Sequence, residues 1–172
     1  SGLKKLGVSK TVMLTGDNQR SAEIVASKLS LDKVYAQLLS EDKLRIVEEL
    51  HNELAQNNKK TGKKGTLIFA GDGINDAPSL QKANVGIAMG GIGSDISVEA
   101  SDVTLVNDNV NDIPHLIRIA RKTIRTINVG IGFALGINII AMGLAILGIL
   151  TPIEGALVHN IGSVIVITYS ST

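Results

Sequence analysis

Gly71-Asp72-Gly73-Ile74-Asn75-Asp76-Ala77-Pro78 follows directly on the apolar run Thr66-Leu67-Ile68-Phe69-Ala70. A short strand that ends in an acidic, glycine-containing turn sets two carboxylates at its C-terminal end. In open α/β sheets that edge is where ligands bind. Asp72 and Asp76 are hard oxygen donors of the kind Mg²⁺ takes, one or two carboxylates alongside waters and phosphate oxygens. Gly71 and Gly73 let the backbone turn tightly and approach a phosphate closely. Pro78 suits the first turn of the helix that follows. The plain alternative is a solvated turn with incidental acids, and matching pieces elsewhere in the chain argue against it.

Working outward, apolar runs at 11–14, 33–36, 84–88 and 102–106 read as further short buried strands beside the one at 66–70. Helical patterns fill 18–29, 41–56, 76–82 and about 94–99, and Gly2 to Leu6 reads as the tail of a helix. That alternation predicts an α/β fold, a parallel sheet covered by helices. The segment Asn57-Asn58-Lys59-Lys60-Thr61-Gly62-Lys63-Lys64-Gly65 is expected to be a polar loop, its four lysines a solvated linker rather than a nucleic-acid patch. The formal net charge of +1 and the 2% aromatic content give no base-stacking platform and no global case for nucleic acid. Without cysteine there is no disulfide framework and no thiolate metal site.

The character changes at Arg125. All 17 Lys and Arg lie at or before it, and beyond it the only formal charge is Glu154. Residues 127–150 are 24 consecutive uncharged residues, and about 20 suffice to cross a bilayer as a helix. A turn at 151–155 and a second uncharged run at 156–170 predict a shorter second span. Arg118, Arg121, Lys122 and Arg125 stand just before the first span, and such clusters stay cytoplasmic. The expected division is therefore a soluble domain over 1–113, a basic connecting helix over 114–126 and two transmembrane helices over 127–172. Gly132 and Gly136 form a small-xxx-small pair suited to close helix packing.

Three blocks together resemble P-type ATPases, the cation pumps whose phosphorylation domain has the haloacid dehalogenase fold. The first is Thr15-Gly16-Asp17 after the strand Thr11-Val12-Met13-Leu14, and the second is Ser40-Glu41-Asp42-Lys43 opening a helix. The third is the 71–78 block, continued by Ala83-Asn84-Val85-Gly86-Ile87-Ala88-Met89-Gly90 and by Ala100-Ser101-Asp102-Val103. The resemblance covers nearly the whole chain, and the third block is the specific one. It implies a Mg²⁺-dependent domain in which Thr15, Gly16, Lys43 and Asn75 hold phosphate, with Thr15 and Lys43 as catalytic groups. It implies Asp72 as the main Mg²⁺ ligand, Asp76 as a second metal-side or loop-holding carboxylate, and Asp17 as the acid that links to a nucleotide-binding domain. ATP is the implied substrate. Phosphoryl transfer of this kind asks a protein mostly to position groups and neutralise charge.

The family's nucleophile lies on Asp-Lys-Thr-Gly-Thr, a string absent from this chain; Asp32-Lys33-Val34 and Asp42-Lys43-Leu44 begin alike but lack the rest. The chain is thus expected to be the C-terminal part of a longer pump, inactive by itself, whose missing N-terminal part is its natural partner. Loss of the nucleophile strand predicts a gap in the sheet with unpaired backbone groups. The sequence from Gly90 through Asn107-Asp108 to two final spans is most similar to the heavy-metal subgroup. A transition-metal cation is then the transported substrate, and the location is the plasma membrane of a prokaryote with the soluble part cytoplasmic. His159, Asn138 and Asn160 are the candidate cation contacts, since a neutral imidazole ligates transition metals and intramembrane polar groups are functional candidates. Two rival readings are a membrane-anchored haloacid-dehalogenase-type phosphatase and a non-catalytic pump remnant.

Overall fold

The computed structural model describes residues 2–71, 74–90, 95–107 and 109–170. These divide into two compact units between Pro114 and His115.

In the first unit, helix α1 (Gly2–Lys5) leads to strand β1 (Val12–Leu14), helix α2 (Gln19–Leu29) and strand β2 (Lys33–Tyr35). Helix α3 (Ser40–Thr61), strand β3 (Ile68–Gly71), helix α4 (Ala77–Lys82), strand β4 (Val85–Met89), helix α5 (Asp95–Glu99) and strand β5 (Val103–Leu105) follow. Every strand pairing is parallel, with Met13 opposite Val34, Ala70 opposite Ile87 and Ala88 opposite Thr104. The core lies where α3 and α4 cover β4: Val47, Leu80, Ile87 and Ala88 are all buried. Gly86 makes that packing possible, because a Cβ there would meet the Leu80 carbonyl oxygen at 2.6 Å.

The strands do not join into one sheet. β1 and β2 form a pair, and β3, β4 and β5 form a separate trio in that order. Among the described residues, the second edges of β1 and β3 therefore pair with no strand. The residues at the two outer junctions are tied down instead. Asp32 accepts hydrogen bonds from the Thr11 amide (2.7 Å) and hydroxyl (2.8 Å) and from Lys4, fixing the start of β1 against β2. Asp102 accepts from the Gly86 amide (2.8 Å) while its own amide donates to the Gly86 carbonyl, fixing β5 on β4.

The expected loop over 57–65 is corrected in part. α3 runs on through Thr61 and stops at Gly62, which takes the left-handed φ of 68°. Lys59 and Lys60 sit in its last turn, where cations favour the negative end of the helix dipole. The Thr61 hydroxyl bonds back to the Asn57 carbonyl at 2.8 Å.

In the second unit, helix α6 (Ile113–Ile146) carries the basic residues and the apolar run without a break, and α7 (Pro152–Ser170) follows a short turn. The stretch Val110–Ile146 is long enough to cross a membrane and holds an 18-residue window with mean hydropathy 2.2. Within α7 the apolar stretch among the described residues is Ile153–Thr168, so among those residues one helix of the two expected passes on length and hydropathy together. Close approach occurs at glycines other than those expected. A Cβ on Gly162 would stand 3.0 Å from Ile137, and one on Gly130 would stand 3.2 Å from Val166. Nothing lies within 4 Å of the Cβ positions at Gly132 and Gly136.

Candidate functional site

Parallel strands bring their C-terminal ends to one edge, and the loops there are stitched to each other. After β1, the Thr15 amide donates to the Tyr35 carbonyl and the Thr15 carbonyl accepts from Leu38, both at 3.0 Å. The Thr15 hydroxyl donates to Asp17 Oδ2 at 3.1 Å and accepts from the Asp17 amide at 3.1 Å. The Asp17 carbonyl accepts from Gln37 at 2.8 Å, and Gln37 holds a left-handed φ of 58° to make that approach. Gly16 lies tight against this second loop, since a Cβ would stand 3.4 Å from the Leu38 carbonyl oxygen. The loop after β2 then enters α3 at once. Asp42 accepts from the Leu39 amide at 3.2 Å, closing the first turn in which Lys43 sits.

Lys43 crosses from α3 to the loop after β3. Its Nζ donates to Asp76 Oδ1 at 2.9 Å, with the two side chains 20% and 7% exposed. This pair is more sheltered than any other ion pair among the described residues. A carboxylate that buried is stable only with a partner. Asp76 ends the short 3₁₀ turn Ile74–Asp76, and Asn75 beside it is exposed. Gly71 is the reason the carboxylate fits: a Cβ on it would stand 2.8 Å from Asp76 Oδ2 and 2.9 Å from its Cβ.

The structure thus brings Lys43 and Asp76 into contact and links the Thr15-Gly16-Asp17 loop to the entry of α3. Asp72, expected as the main metal ligand, lies outside the described residues. Among the described residues no three His, Asp or Glu side chains converge on one point. The donor set nevertheless suits Mg²⁺, which needs only one or two protein carboxylates beside phosphate oxygens and water. Asp76 uses Oδ1 on Lys43, and Oδ2 is its other oxygen donor. Sequence reasoning gave no role to Asp32, Asp102 or Asn84. Asn84 accepts from the Leu67 amide at 2.9 Å and faces His51 of α3 at 3.2 Å. All three precede a strand, and an acid or amide just before a strand was their available signal.

A second polar contact lies in the second unit. His159 Nδ1 is 3.0 Å from Asn138 Oδ1, joining α7 to α6. An amide oxygen only accepts, so in this contact Nδ1 is the donor. The Ser163 hydroxyl donates to the His159 carbonyl at 3.0 Å. Asn160, one residue on, stands about 100° around the helix from His159 and is exposed.

Residues 1–84 match the haloacid dehalogenase-like hydrolase family. The chain is 46% identical over 152 residues to a cadmium, zinc and cobalt-transporting ATPase of Bacillus subtilis, covering 88% of this chain and 21% of that one. It is 38% identical over 169 residues to a probable cadmium-transporting ATPase of Staphylococcus aureus, covering 98% and 20%. The crystal structure of a zinc-transporting PIB-type ATPase in its E2.Pi state superposes with a TM-score of 0.83 at 34% identity, covering 98% of this chain and 26% of that one. The chain spans about a fifth of the length of the curated relatives it matches.

Proposed function

The chain belongs to the heavy-metal P-type ATPases and carries their haloacid dehalogenase-like hydrolase domain, and from that premise we propose that it supplies the phosphate- and Mg²⁺-holding side of an ATP-driven transition-metal pump. In the intact pump ATP phosphorylates an aspartate on the Asp-Lys-Thr-Gly-Thr strand, which this chain does not contain. The open edges of β1 and β3 are where that strand fits, so the residues at the C-terminal edge converge on its carboxylate.

The observation that carries this reading is the sheltered Lys43–Asp76 pair at the strand-end edge. Lys43 offers a compact positive charge to the phosphoryl oxygens, and Asp76 orients it. Thr15, Gly16 and Asn75 offer a hydroxyl, a backbone amide and an amide side chain to the same group. Asp72 and Asp76 hold Mg²⁺, which neutralises charge on the transferred phosphoryl. Asp17 stands on the exposed rim as the link to a nucleotide-binding domain.

α6 and α7 act as a membrane hairpin whose basic end is cytoplasmic, as the lysine and arginine distribution favours. His159 presents Nε2 as a transition-metal ligand, with Asn138 fixing the tautomer and Asn160 nearby. The test uses a chimera in which this chain replaces the stretch it matches in the Bacillus subtilis relative. Asp72→Ala there abolishes acid-stable phosphoenzyme; a normal yield contradicts the assignment.

A further inference from the structure

Thr15 has one hydroxyl proton, and in this structure that proton lies on Asp17. Thr15 Oγ1 donates to Asp17 Oδ2 at 3.1 Å and accepts from the Asp17 amide at 3.1 Å. A carboxylate oxygen only accepts, so Thr15 is the donor in the side-chain contact. A phosphoryl oxygen also only accepts. Thr15 therefore cannot give a full hydrogen bond to a phosphoryl group and to Asp17 at once. The backbone leaves little slack to relieve this conflict. The Thr15 amide donates to the Tyr35 carbonyl and the Leu38 amide to the Thr15 carbonyl, both at 3.0 Å. The Gln37 amide donates to the Asp17 carbonyl at 2.8 Å. Both residues are thus pinned to the loop after β2, and any exchange of partners has to come from side-chain rotation. Asp17 is exposed, so water can receive its carboxylate when Thr15 turns away.

We propose that Thr15 and Asp17 form a hydroxyl switch, in which a phosphoryl group and the rim carboxylate compete for one proton. Phosphoryl occupancy takes the proton and frees Asp17 Oδ2 for a donor on the nucleotide-binding domain. Linkage makes the effect reciprocal: a donor that draws Asp17 Oδ2 away raises phosphate affinity at Thr15 by the same factor. Asp17 is then a positioning residue that acts on the phosphoryl group through Thr15. The switch rests on the reading that Thr15 holds phosphate, and the experiment separates the two.

Orthovanadate, a phosphate-shaped anion, is titrated calorimetrically with Mg²⁺ into the Bacillus subtilis relative carrying this chain in place of the stretch it matches. ATP binding to each variant is measured beside it as the check of folding. Thr15→Val weakens vanadate binding roughly tenfold. Asp17→Ala tightens it about fivefold, the scale of one hydrogen bond released from competition, and keeps that gain beside Thr15→Ser. Beside Thr15→Val the gain shrinks to what removal of a negative charge alone supplies. Thr15→Ala takes the place of Thr15→Val if the valine variant loses ATP binding. An equal gain from Asp17→Ala in the Thr15 and Thr15→Val backgrounds means charge repulsion alone and overturns the switch. Weaker vanadate binding in Asp17→Ala overturns it as well. A Thr15→Val variant that binds vanadate as tightly as the unaltered chain overturns the phosphate-holding reading of Thr15, and the switch with it.

Discussion

Gly71 has no side chain, and the carboxylate of Asp76 occupies the space a Cβ would need. Gly71→Ala therefore displaces Asp76 and, through it, Lys43. In the chimeric pump phosphoenzyme formation should fall roughly 10²-fold, the scale of a 1 Å misplacement; an unchanged rate would mean that Asp76 has no positioning role. Lys43→Ala leaves a 7%-exposed carboxylate without its partner. It should destabilise the first unit by on the order of 3 kcal/mol in urea unfolding, and Asp76→Asn in the same chain should recover part of that. Asp32 sets an acid limit. Hydrogen bonds from Lys4 and then from Thr11 hold its pKa down from 3.8 to about 2. A carboxyl with a depressed folded pKa stabilises the fold above its unfolded value and loses that contribution as pH falls through the folded one. Stability should thus decline between about pH 4 and pH 2, and Asp32→Asn should flatten that decline in a pH series of melting curves. The 71–78 block stands out in the sequence as a candidate site because glycine and acid together at a strand end have few other uses. The Lys43–Asp76 contact is not visible there, since 33 residues separate the partners and tertiary packing of α3 on the Ile74–Asp76 turn joins them.

At the scale of elements, the alternation of short apolar runs with helical patterns gave all five strands within two residues. Strands of three to five residues leave little room for error once the flanking turns are polar. The end of α3 was misplaced because polar residues such as Asn57 and Asn58 suit a loop as well as an exposed helix. Helical periodicity also could not choose between Gly130 and Gly132 as the packing point, because that depends on how α6 is rotated against α7. Gly86→Ala tests the core directly. Its Cβ would collide with the Leu80 carbonyl, so α4 must lift from β4, at about 1–3 kcal/mol of stability. No change in melting would mean that α4 is loosely seated. The unpaired edges of β1 and β3 predict low stability for the chain alone. Co-expression with the strand bearing Asp-Lys-Thr-Gly-Thr should raise the melting temperature, whereas a cooperative, high-melting transition without it would contradict the strand-gap account.

For the whole molecule, charge and apolarity divide the work. Basic and acidic residues build the α/β unit, and beyond Arg125 a single formal charge remains. That asymmetry marks the second unit as the apolar one, and among the described residues α6 is the helix long and apolar enough to cross a membrane. Of the polar residues proposed to meet the cation, His159 and Asn138 are in contact. The proposed phosphate- and Mg²⁺-holding role is tested most directly by phosphoenzyme formation from labelled ATP in the Bacillus subtilis relative with this chain exchanged for the stretch it matches. Acid-stable phosphoenzyme within roughly tenfold of the unexchanged pump is expected. A chimera that inserts into the membrane and binds ATP but forms none would contradict it.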